Sequence, residues 1–402
     1  MPGQFFSPEG DLEEYFITNH WLIDQYIGDE LYVWGSNESL NLGTIGIGTV
    51  RSTPTQTSAG GTNWVQVSCG GEDAVTRNYV TAAIKTDGTL WTWGRTGVGI
   101  NRAFGSEFSS TPVTTFAGGT NWKQLSVGTN TVMAIKTDGT LWGWGVNSDI
   151  QLGNNVDPGG SPSILTPITT FAGGSNWRSV ACCETSSMAI KTDGTLWGWG
   201  ANGSGQLGTN DALRRSTPVT TFIGGNDWKQ ISVTDGFSTA IKTDSTLWTW
   251  GGNSLMVGDL LGSRQFPRKI AGTNWKQVSV EFSSVAAIKE DGTLWVWGRN
   301  ELGQLGINNV TSRSTPVTTF AGGTNWKQVS CGGRNMVAIK TNGTLWVWGE
   351  NTLKALGNFT ATGIRSTPIT TFAGGTNWKQ ADSSLFYMAA ITSGIPSALP
   401  LS

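Results

Sequence analysis

The chain has 402 residues, 56 of them Gly and 21 Trp, with a single His, 13% charged residues and a formal charge of −2. So little charge with so much Trp excludes a disordered chain, and no apolar run approaches the about 18 residues of a membrane span. There is no basic surplus to favour nucleic acid, one His (His20) excludes multi-His metal sites, and no cofactor motif is present.

In chain order, residues 1–30 come first as an arm unlike the rest. They hold seven of the 28 acids, no Lys or Arg, and the aromatics Phe5, Phe6, Tyr15, Phe16, Trp21 and Tyr26. Ser7-Pro8-Glu9 is a helix start, with Ser as N-cap and Pro at the first helical position, so a short helix over residues 11–19 is expected. The arm either folds back on the body or docks on a partner through aromatic anchors in an acidic frame. No basic segment precedes an apolar core, so no secretory signal is read. The expectation is a protein made in the cytoplasm that stays there or leaves by another route.

From residue 31 the chain repeats itself, with a period near 51 residues. Leu-Trp-x-Trp-Gly or its variant recurs at 31–35, 90–94, 141–145, 196–200, 247–251, 294–298 and 345–349. An Asn or Asp before Trp places Trp64, Trp122, Trp177, Trp228, Trp275, Trp326 and Trp378. An Ala-Ile pair ends at Ile84, Ile135, Ile190, Ile241, Ile288, Ile339 and Ile391. The segments NWKQVS, AAIK and TLWTWG read as short strands. Asp-Gly or Asn-Gly between the last two marks a tight hairpin, with Asp244-Ser245 as the exception. A fourth strand begins at Thr-Pro, where proline suits the first residues of an edge strand.

Four antiparallel strands in seven units predict an all-β, seven-bladed β-propeller. The N-terminal repeat lacks its first two strands and the C-terminal repeat its last two, so the chain ends complete one blade between them. The expected organisation is an arm (1–30), a propeller (31–392, the last blade shared by 31–57 and 376–392) and a tail (393–402). Cys69, Cys182, Cys183 and Cys331 show no CxxC spacing and read as reduced, buried thiols.

Spacing separates the two faces of such a ring. The turn from Ile to Leu-Trp hardly varies. The first connection of a blade lengthens by seven residues around Glu72–Tyr79, and the third runs from 14 residues (252–265) to 20 (146–165). Strands alternate in direction, so all the length variation falls on one face, and both chain ends leave from the other. Binding is expected on the variable face, with Arg77, Tyr79, Asn101, Arg102, Phe104, Asn154 and Asn155 as contact residues.

Leu-Trp-x-Trp-Gly, followed by Asn202 with Gly205-Gln206-Leu207-Gly208 or Asn300 with Gly303-Gln304-Leu305-Gly306 and then a Thr-Pro strand, resembles the regulator of chromosome condensation repeat family over residues 31–392. That resemblance implies a seven-bladed propeller closed by its chain ends. Its members include guanine nucleotide exchange factors and chromatin binders, but the loops that would exchange nucleotide do not match, and no basic tail is present. The arm, FFSPEGDLEEYFITNHWLIDQYIGDELYVWG, resembles the start of repeat-bearing virion structural proteins of marine tailed phages, notably cyanophages. It implies a non-enzymatic virion protein, released by lysis, with the arm on other virion proteins and the variable face on host surface glycan or protein. No catalytic residue, metal, cofactor, nucleic acid or membrane insertion is expected. The competing reading is nucleotide exchange or another intracellular protein-binding scaffold.

Overall fold

Each repeat forms one antiparallel sheet because Gly and Asn punctuate four short runs that bury alternate side chains. The structure, a computed structural model, describes residues 29–44, 46, 49–71, 79–95, 108–115, 118–155, 163–252, 264–358 and 362–393. Blade 1 consists of Trp64–Gly70, Val80–Lys85, Leu90–Arg95 and Phe108–Thr114, from the inner to the outer edge. Blades 2 to 6 have as inner strands Trp122–Val127, Trp177–Cys182, Trp228–Thr234, Trp275–Glu281 and Trp326–Cys331. Blade 7 joins Trp378–Ser383 and Tyr387–Thr392 to Leu31–Gly35 and Arg51–Gln56. Leu31 through Gly35 pair with Ile391 through Tyr387 without a register shift. The molecule is thus a seven-bladed all-β propeller whose ends close the ring, leaving no open sheet at the join.

The core lies between blades. The second Trp of every Leu-Trp-x-Trp-Gly segment is fully buried, and each inner-strand Trp is at most 2% exposed. In blade 3 the Trp177 ring meets Trp197 at 6.1 Å and Trp199 at 6.2 Å, both edge-on, the geometry that ring quadrupoles favour. Lys191 lies 4.8 Å from the Trp177 ring and 4.3 Å from that of Trp197, a cation–π contact present in the six continuous blades. In blade 7 Thr392 stands where the others have Lys, and Tyr32 replaces Trp. Tyr32 donates its hydroxyl to Glu30 at 2.8 Å instead.

The Thr-Asp-Gly turns are built the same way. Thr89 donates its hydroxyl to Asp87 at 2.6 Å and accepts the Trp91 indole N–H at 2.9 Å. Those hydrogen bonds, hydroxyl first and then the Thr backbone N–H, hold the Asp87, Asp138, Asp244 and Asp291 carboxyls below the usual range. These acids are turn formers.

The two faces differ in length tolerance for a physical reason. The Gly88 carbonyl accepts the Trp122 N–H of the next blade at 3.0 Å, and Thr137 donates to the Asn121 carbonyl at 2.7 Å. A Cβ on Gly88 (φ 75°) would lie 2.2 Å from the Thr120 carbonyl oxygen. The turns of this face therefore seal the ring, and an insertion there would break the seal. Asp29, whose carbonyl accepts from Trp64, and Ser393, which donates to Asn377, lie on that face. The prolines need one correction: they lie inside the outer strands, not at their first residues. In blade 3, Pro218 falls in a bulge between Val219, which faces Gly198, and Arg215, which faces Gly200. A bulged edge strand tolerates the missing N–H.

Candidate functional site

The inner strands surround a channel of about 300 Å³. Two residues after each inner Trp comes Gln, except in blade 3, where Ser179 stands. Each of the six Gln amides pairs with the backbone of the next blade. Gln66 donates to the Leu125 carbonyl at 2.9 Å and accepts its N–H at 3.1 Å. Gln124 pairs with Val180, Gln230 with Val278, Gln277 with Val329, Gln328 with Ala381 and Gln380 with Val67 in the same way.

Two residues further on, a Ser hydroxyl accepts the next blade's N–H, as Ser232 does from Val280 at 3.0 Å. Asp382 takes this position in blade 7 and accepts from Cys69 N–H at 2.8 Å and from the Ser330 hydroxyl at 2.6 Å. Part of its surface faces the lumen, yet all seven blades enclose it, and that desolvation raises its carboxyl above the usual range. Burial likewise pushes the thiol of Cys182 up to about 11 and that of Cys331 to about 12. Such thiols are not nucleophiles at neutral pH.

At the channel mouth on the loop face, the first turns of blades 5, 6 and 7 stand side by side. Phe282 is 46% exposed and has φ 50°, a region that costs a bulky residue about 1 kcal/mol or more. Its N–H donates to Thr234 Oγ1 at 2.9 Å. A Cβ on Gly333 would lie 3.2 Å from that of Phe282, so the glycine leaves the Phe its place. Beside it, Arg334 pairs with Glu350 at 3.0 Å and lies over the Phe386 ring at 5.1 Å. In the adjoining turn of blade 4, next to Thr234, Asp235 accepts from Thr185 Oγ1 at 3.0 Å. The rim thus places an aromatic group and a paired cation on blades 5 to 7 beside a carboxylate on blade 4. Among the described residues no group of three or more His, Cys, Asp or Glu is placed to hold a metal ion.

Of the expected contact residues, Tyr79, Asn154 and Asn155 are among the described residues. Phe5, Phe6, Tyr15, Phe16, Trp21, Tyr26, Arg77, Asn101, Arg102 and Phe104 lie outside the described residues. Tyr79 is corrected from a contact residue to a core one. It is fully buried, with Tyr387 at 5.7 Å and Phe386 at 6.4 Å, because the insertion before it ends where the blade's second strand starts. Asn154 accepts from Asn147 at 3.3 Å. Asn155 is exposed, at φ 60°, and its N–H donates to the Ser216 carbonyl of blade 3. Asn210 and Asn308 do the same at the next seams. Both Asn154 and Asn155 thus sit on the outer flank as loop formers, away from the mouth. Sequence reasoning missed Phe282 and Arg334. Their signal was a Phe in a repeat position that small or polar turn residues fill everywhere but in blade 7, where Leu385 stands.

The chain matches the profile of the regulator of chromosome condensation (RCC1) repeat over residues 29–75, 138–190, 193–241 and 291–339, and a second profile of that repeat over 122–151, 177–206 and 326–353. It is 29% identical to the ultraviolet-B receptor UVR8 of Arabidopsis thaliana over 341 residues, 82% of this chain and 75% of that one. Human WBSCR16 shares the fold at a TM-score of 0.75 and 20% identity, over 90% of this chain and 99% of that one. Yeast RCC1 (Prp20), solved with Kap60, shares it at 0.74 and 17% identity, over 99% and 95%. No helix among the described residues is long and apolar enough to cross a membrane. Repeat motifs, ring closure and profile agree, and the chain belongs to the regulator of chromosome condensation repeat family.

Proposed function

We propose that this chain is a non-enzymatic protein-binding propeller that meets its partner with the loop-face mouth. One observation carries the reading: Phe282 is held exposed on strained backbone beside Arg334, at the rim of the channel. Strain of this kind persists where surroundings enforce it and clusters at functional positions. Aromatic and Arg anchors dominate protein interfaces. Yeast RCC1, a member of the same family, has been solved bound to the protein Kap60, which supports a protein partner here. The repeated acids and lysines are engaged in turns and Trp stacks, which supports a structural role for them over acid–base chemistry.

The test is comparative capture. Proteins retained by the wild type are quantified against Phe282→Gly, Arg334→Ala and, on the ring-sealing side, Phe222→Ser. Partners lost with the first two and kept with the third support the reading. A set unaffected by the first two overturns it. Phe282→Gly relieves the backbone, so its lost binding comes with unchanged or higher stability.

The finer reading is a virion attachment module of a tailed phage. Residues 1–30 would fix it to the particle, and the mouth would face host protein or glycan. Its support is the sequence of the arm and its likeness to marine phage virion proteins. Mass spectrometry of purified particles tests it, and assembly of a chain lacking residues 1–30 into particles would overturn the arm's role. An exchange assay on a small GTPase tests the alternative.

A further inference from the structure

The seam between blades 3 and 4 differs from the other six. Ser179 is too short to make the Gln pair, and Ala181 replaces the hydroxyl of the second tie. Among the described residues, the N–H and C=O of Ile231 and the N–H of Val233 therefore have no protein partner, whereas the equivalent groups of Val278 and Val280 do. Along the channel, the inner strands of this seam are pinned at their two ends. At the ring-sealing end Arg178 donates to the Trp228 carbonyl at 2.7 Å. At the loop end the Thr185 hydroxyl donates to Asp235 at 3.0 Å. Between these pins, two backbone donors and one acceptor face the channel. Unpaired backbone groups in so enclosed a place are uncommon in folded proteins. With seven blades, Asp382 on blade 7 stands directly across the channel from this seam.

We infer that the channel carries a binding slot for a primary carboxamide at Ile231. The molecule itself displays the complementary chemistry six times. A Gln amide places its NH2 on a backbone carbonyl and its oxygen on the same residue's N–H, in a bidentate pair. At Ile231 the chain supplies the backbone half and withholds the side chain. An incoming carboxamide donates to the Ile231 carbonyl and accepts from its N–H. A carboxylate lacks the donor, and across the channel it would face the Asp382 carboxyl. The amide can come from a small molecule or from an Asn or Gln side chain of a partner segment. This inference does not depend on the mouth residues of the proposed function.

The test uses protein labelled with 15N at Ile and Val, titrated separately with propanamide, with propanoate and with the capped tripeptide acetyl-Gly-Gln-Gly-N-methylamide. Saturable shifts of the Ile231 N–H with propanamide are expected, with propanoate weaker by roughly tenfold or more. Binding of the tripeptide alone supports the same slot and assigns it to a partner segment. Ser179→Gln fills the slot from within and is expected to abolish the shifts. Gln277→Ser opens the equivalent slot and is expected to create a new shift at Val329. No saturable shift with either amide, or shifts that persist in Ser179→Gln, would overturn the inference. So would a folded Gln277→Ser protein with no new response at Val329.

Discussion

The seam between blades 3 and 4 and the seam between blades 4 and 5 bury similar cores but are tied differently at the channel. Trp228, Trp250 and Met188 pack the first, and Trp275, Trp297 and Phe237 pack the second. Only the second carries a Gln–backbone pair (Gln230 to Val278) and a Ser tie (Ser232 to Val280). The ring keeps its seven-fold arrangement through both. The wedge of aromatic side chains between sheets therefore sets the curvature, and the channel ties are local additions. This is consistent with area: each buried Trp removes on the order of 150–250 Å² from water, whereas a hydrogen bond contributes about 1 kcal/mol net.

The largest effect expected is from the core. Trp250→Ala and Trp297→Ala should each cost about 3–5 kcal/mol in denaturant unfolding, despite the different ties at their seams. A much smaller loss at one of them would break the equivalence of the two cores. Next comes the tie itself. Gln277→Ala leaves both backbone groups of Val329 unpaired and should cost about 1–3 kcal/mol. Ser179→Ala should change stability by less than about 0.5 kcal/mol. Amide hydrogen exchange sharpens the same contrast: Val278 should be protected and Ile231 should exchange faster. Third, Ser179→Gln should install the missing pair and add about 1 kcal/mol, with slower exchange at Ile231 as its signature.

The smallest effect has a pH signature. Burial holds the Asp382 carboxyl above the usual range, so its contribution is full below the ordinary carboxylate pKa and lost as pH rises through the raised native value. Asp382→Asn keeps an acceptor for Cys69 and removes the charge. Its melting temperature should match the wild type near pH 4 and exceed it increasingly toward pH 8. The turn acids act in the opposite sense. Their lowered carboxyls stabilise the fold above the ordinary carboxylate range, and that stability is lost on acidification. They are unchanged by the substitution and cancel in the comparison.

Much of the fold was legible because its determinants are periodic. Trp64 and its six counterparts mark the inner strands, and the missing strands at the two ends predicted the shared blade. The turns at Asp87-Gly88 and its equivalents were legible from φ requirements alone. The site was less so. Tyr79 follows an insertion and looked like a loop residue, but strand register carried it into the core. Leu40, Ile150 and Lys354 adopt the left-handed conformation that Gly205 and Gly303 adopt in the complete motif. Three degraded motifs thus keep the same loop, because Asn37, Asn147 and Asn351 still accept the N–H five residues on.

By itself the sequence determined the number of blades, the closure of the ring and the division into a uniform and a variable face. Each of these follows from spacing along the chain, which fixes strand length and direction. The tertiary structure decided what the side chains of adjacent blades do for one another. The columns holding Ser179 and Ala181 were visible as departures from Gln and Ser. Their consequence for Ile231 and Val233 depends on groups about 50 residues away, which meet only when the ring closes. The exposure of Phe282 beside Arg334 has the same origin, since neighbouring blades hold the two turns in place.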